Sequence, residues 1–108
     1  MKAAGIINLN DRLILAVISG DSVRVFRPDH EDYLLEILNA SKPDIVGIER
    51  DDSRLRDLLK YSFRTVLLDK DGMKGDDRLS KLTRLNIVKK SEEMAILFAL
   101  AASDELKA

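Results

Sequence analysis

The segment Asp44-Ile45-Val46-Gly47-Ile48-Glu49 constrains the fold more than any other part of the chain. It is a short apolar run closed at each end by a carboxylate, and such a run suits a strand buried on both faces. Upstream, Tyr33, Leu34, Ile37 and Leu38 recur at helical spacing behind Pro28-Asp29, where Asp29 can cap a helix ending near Asn39 to Ser41. A helix leading through Pro43 into a doubly buried strand implies a crossover connection.

Three earlier segments read differently. Ala3 to Asn8, Leu13 to Ser19 and Ser22 to Phe26 are strand patterns separated by Asn10-Asp11 and Gly20-Asp21, the turn chemistry of tight hairpins. They predict an antiparallel meander. After Glu49, one of Asp51, Asp52 or Ser53 caps a helix carrying Leu55, Leu58 and Leu59, and Phe63 to Leu68 forms a fifth strand, making the sheet mixed. Asp69 to Gly75 is a polar loop. Asp76 or Asp77 starts a helix with Leu79, Leu82 and Leu85 inward, and a final helix follows Ser91 with Glu92 and Glu93 in its first turn. The expected order is β-β-β-α-β-α-β-α-α in one domain spanning residues 1–108.

A chain of 108 residues can bury one core without a staple, and none is offered: it has no cysteine and one histidine, His30. Thiolate zinc sites, disulfide frameworks, cysteine nucleophiles and Ser-His-Asp arrangements are thereby set aside. Asp69-Lys70-Asp71-Gly72 lacks the remaining ligands of a calcium loop, with Ser80 at its twelfth position, and Gly72 to Gly75 lacks phosphate-loop spacing. No apolar run approaches a membrane span, and Met1 to Gly5 leads into a strand pattern, so a cytoplasmic protein is expected.

The net charge of -1 hides an uneven distribution. Residues 1–49 carry 5 basic and 8 acidic side chains, residues 50–90 carry 12 and 7, and residues 91–108 carry 1 and 4. The middle segment is therefore net basic, which can steer a phosphate backbone or simply decorate two solvated helix faces. Lys70, Lys74, Arg78 and Lys81 are the candidate nucleic-acid contacts. The aromatic residues Phe26, Tyr33, Tyr61, Phe63 and Phe98 mostly follow core-facing patterns and form no stacking platform.

The element order, with Glu49 ending the strand that begins Asp44-Ile45-Val46 and with Glu92 and Glu93 opening an Ala-rich last helix, resembles the ribonuclease H-like superfamily of the Holliday-junction resolvase type. The resemblance covers nearly the whole chain. It implies a mixed sheet with helices packed on it, a nucleic-acid substrate, and Mg2+ or Mn2+ held by carboxylates that activate water and stabilise a leaving oxygen. Glu49 and Glu92 would be the metal ligands, with Glu93 and Asn8 completing the catalytic set and Asp11 and Asp69 in reserve. Asn8 departs from the family pattern, which demands an acid on the first strand. An amide lacks the charge that holds two dications together, so the resemblance equally fits a weak phosphodiesterase or a non-catalytic relative.

Structural readings stand beside these roles. Glu49 can be a strand-end carboxylate, and Glu92 and Glu93 can complement a helix dipole. A rival from another class is a module that dimerises through the uninterrupted apolar run Met94 to Ala102. A third is a binding subunit of a larger nucleoprotein complex, touching RNA or DNA through Lys74, Arg78 and Lys81.

Overall fold

A computed structural model describes residues 1–73, 75–86 and 88–107. Strands β1 (Lys2–Leu9), β2 (Arg12–Ser19) and β3 (Ser22–Phe26) form the expected meander, with Leu9 paired to Arg12 and Ser19 to Ser22 across two-residue turns. At the first turn both Asn10 (φ 53) and Asp11 (φ 63) take left-handed backbone, the conformation that matches the twist of a tight hairpin. Gly20 (φ 60) serves the second.

Helix α1 (Glu31–Ser41) then carries the chain back to β4 (Ile45–Glu49), which pairs in parallel with β1: Ala3 lies opposite Ile45 and Ile6 opposite Ile48. Its N-cap is His30 rather than Asp29, because the His30 Nδ1 accepts the Tyr33 N–H at 3.1 Å. Asp52 caps α2 (Ser53–Leu59) by accepting the Leu55 N–H at 3.0 Å. Strand β5 (Thr65–Leu68) starts two residues later than its apolar pattern predicts and pairs in parallel with β4. The strand order is β3-β2-β1-β4-β5.

The expected loop after β5 contains a 3-10 turn at Lys70–Gly72, followed by α3 (Asp77–Leu85). A second 3-10 turn, Lys90–Glu92, precedes α4 (Glu93–Lys107), so Glu92 lies just outside the helix that its sequence position predicts. The result is α/β: a five-strand mixed sheet with four helices packed on it. Ala4, Ile6, Leu15, Val17, Val46 and Ile48 face α1 and α2 on one side. Ile7, Ile14, Ala16, Ile18 and Ile45 face α4 and Leu82 of α3 on the other.

Two glycines set how closely α4 approaches. A Cβ on Gly5 would collide with the Ala95 carbonyl oxygen and the Ala99 nitrogen; a Cβ on Gly47 would lie 2.7 Å from the Phe98 oxygen. Ala95, Ala99 and Ala102 complete this close contact and are fully buried. Most of the Met94 to Ala102 run is therefore used inside the chain, where Ile96, Phe98 and Leu100 are buried as well, while Met94, Leu97 and Ala101 stay half-buried. No helix among the described residues is long and apolar enough to cross a membrane.

Candidate functional site

Strands β1, β4 and β5 are mutually parallel, and β3 runs with them because two antiparallel steps restore direction. Their carboxyl ends therefore share one edge of the sheet, the edge where open α/β sheets present ligands. Glu49 ends β4 there. Its Oε2 accepts the Asn8 N–H at 3.1 Å and its Oε1 lies 3.2 Å from the Lys70 Nζ. The same Nζ donates to the Asn8 carbonyl oxygen at 3.4 Å.

Asn8 thus meets Glu49 through its backbone. Side chains alternate along a strand, so the Asn8 amide joins Ile6 on the α1–α2 side, whereas Ile7, buried against α4, takes the side that Glu49 shares with Ile45. Continuing the register from Ile6 and Ile48 brings Ile7 opposite Glu49. The Asn8 amide instead lines a groove of about 970 Å³ with Asp11, Arg12, Asp52 and Arg54. Arg54 pairs with Glu31 across the same groove.

Glu92 lies in a separate arrangement and is 7% exposed. Its Oε1 accepts the Lys89 N–H at 2.9 Å, and its Oε2 accepts from the Arg27 Nε at 3.3 Å and the Arg27 Nη2 at 3.2 Å. Arg27 also donates to the Ser91 hydroxyl at 2.9 Å. Glu93, half-buried, opens α4. Asp69 accepts from the Arg50 Nε at 3.3 Å through both carboxylate oxygens, and Asp11 sits in the β1–β2 turn.

The expected nucleic-acid contacts divide. Lys74 lies outside the described residues. Arg78 donates to both Asp76 and Asp104, at 2.6 and 2.8 Å from its Nη2, so it joins α3 to α4. The side-chain hydrogen bonds from Asp76 and Asp104 raise its pKa further above the ordinary arginine value, while hydrogen bonding to Arg78 holds the Asp76 carboxyl below the usual range. Lys81 pairs with Asp21 at 3.2 Å.

Sequence reasoning missed Arg27, Arg50 and Ile7. Arg27 and Arg50 each directly follow a predicted strand, which could have marked them as residues emerging at a sheet edge. The role of Ile7 depends on the β1–β4 register, which carries no local signal.

A two-cation centre brings four positive charges together and needs several convergent carboxylates. Here Glu49 carries an ammonium, Glu92 a guanidinium and a capping hydrogen bond, and the intervening strand presents Ile7. Among the described residues no group of three or more His, Cys, Asp or Glu side chains is placed to hold a metal. This donor set does not fit two dications. No family model matches the chain, and no curated protein was found to be similar to it.

Proposed function

We propose that this chain is a ribonuclease H-like domain that binds nucleic acid without cleaving it. The strand order β3-β2-β1-β4-β5, with three antiparallel strands first and a long final helix across β1 and β4, supports the family reading. Fold alone does not imply function, so the partner is argued from the sheet edge.

One observation carries it. Arg27 follows β3, Arg12 begins β2, Arg50 follows β4, and Lys70 follows β5 by two residues, so one sheet edge bears a cation at four of its five strands. At roughly 4.8 Å between strands, the row from β3 to β5 extends about 19 Å, a span suited to several consecutive phosphates. Arg27, Arg50 and Lys70 side chains are 43%, 55% and 35% exposed. The Arg50–Asp69 pair is exposed on both sides, and such pairs contribute little, so a phosphate can replace Asp69 on Arg50 without a large penalty.

The test is fluorescence anisotropy of labelled single-stranded and duplex DNA and RNA across a salt series, with Arg12→Ala and Arg50→Ala variants. Binding that weakens with salt, and whose salt slope falls by about 1 for each removed phosphate contact, supports the reading. Absence of binding at low salt for every oligonucleotide sinks it. Cleavage in Mg2+ or Mn2+, lost in Glu49→Gln, would replace it with a weak metal-dependent phosphodiesterase.

A further inference from the structure

We infer that Lys70 is a tethered cation that occupies a two-oxygen cradle at the β1–β4 edge and excludes divalent metal from Glu49. The Lys70 Nζ contacts two oxygens, the Glu49 Oε1 at 3.2 Å and the Asn8 carbonyl at 3.4 Å. A carboxylate and a backbone carbonyl are the hard oxygen donors that magnesium, manganese and calcium take. The ammonium therefore sits on a pair of atoms whose chemistry suits a metal ion.

Local structure holds it there. Lys70 opens the 3-10 turn directly behind β5, where the Gly72 N–H donates to the Asp69 carbonyl and the Met73 N–H to that of Lys70. Asp69 is fixed in turn by Arg50. An intramolecular ammonium competes at a high effective concentration, and the competing ion must be recruited from solution. Charge points the same way. Arg50 and Asp69 neutralise each other, and Lys70 neutralises Glu49, so these four side chains give an arriving dication no net attraction.

This inference does not depend on nucleic-acid binding. It is tested by manganese titration of the isotopically labelled chain, read as amide line broadening, for the unsubstituted protein, Lys70→Met, Lys70→Gln and Lys70→Met with Glu49→Gln. In both single variants, the Asn8, Glu49 and Arg50 amides are expected to broaden at a manganese concentration at least roughly tenfold lower than in the unsubstituted chain. Adding Glu49→Gln is expected to abolish that response. Amides at the β2–β3 hairpin report whether each variant stays folded, and Lys70 is a surface side chain, so two variants guard against one failing. Equal response with and without Lys70, no response in any variant, or broadening that survives Glu49→Gln each overturns the inference. Oligonucleotide anisotropy of the same proteins reads the proposed function separately.

Discussion

Arg27 and Glu92, 65 positions apart in the chain, meet at 3.2 Å with the carboxylate almost wholly buried. The pair ties the end of β3 to the turn that starts α4. Glu92 also accepts the Lys89 N–H, so the same carboxylate closes the local turn and the long-range contact. This accounts for a charged residue inside a small α/β fold, since a buried charge persists only when it is paired and hydrogen-bonded.

Arg27→Ala leaves Glu92 with its capping hydrogen bond but without its counter-ion. Because Arg27 is itself 43% exposed, the expected loss is about 1–3 kcal/mol, below that of a fully buried pair. Urea denaturation measures it. A loss under about 0.5 kcal/mol, the range of ordinary surface substitutions, would show that Glu92 is held by its cap alone.

The two kinds of glycine are expected to respond to alanine for different reasons. Gly47→Ala places a Cβ 2.7 Å from the Phe98 carbonyl oxygen, so α4 must move, at a cost of about 2–3 kcal/mol. Gly20→Ala meets no atom within 4 Å but keeps φ at +60, costing about 1 kcal/mol. Thermal unfolding of the two variants should rank them in that order, and the reverse order would contradict the close approach of α4.

Acid should weaken the start of α3 through its cap, Asp76. Its carboxyl titrates below the ordinary value of 3.8 because it accepts hydrogen bonds from Arg78. The folded state thus binds this proton less readily than the unfolded one, so the contribution is complete above pH 3.8 and is lost as pH falls through the folded value. Arg78 stays charged throughout. Asp76→Asn should flatten the acid limb of stability against pH, and a limb unchanged by that substitution would assign the acid sensitivity elsewhere.

Ala95, Ile96, Phe98, Ala99, Leu100 and Ala102 are buried within the chain, which leaves Met94, Leu97 and Ala101 as the half-buried apolar side chains of this run. Light scattering behind size exclusion is expected to give a monomer mass that does not rise with concentration. A dimer abolished by substitution of the half-buried Met94 or Leu97 would restore a docking role to that helix.

Much of the architecture was legible in residue order. Turn residues at Asn10-Asp11 and Gly20-Asp21, helical spacing at Tyr33 to Leu38, and the apolar run ending at Glu49 are local signals, each set by backbone sterics or by periodic burial. Element ends were less legible. His30 displaced Asp29 as the cap of α1 because its ring nitrogen reaches the Tyr33 N–H, and the last helix begins after a 3-10 turn that its acids do not announce.

What the sequence by itself determined was the alternation of strands and helices and the position of Glu49 at a strand end, because both follow from neighbours along the chain. Tertiary structure decided what Glu49 faces. Parallel pairing of β1 with β4 sets Ile7 on its side and turns the Asn8 amide to the other, and the turn after β5 brings the Lys70 ammonium to its oxygen. Strand register and the reach of a side chain across 21 positions are long-range properties. Side chains alternate with period two, so a one-residue slip would exchange the faces of Ile7 and Asn8.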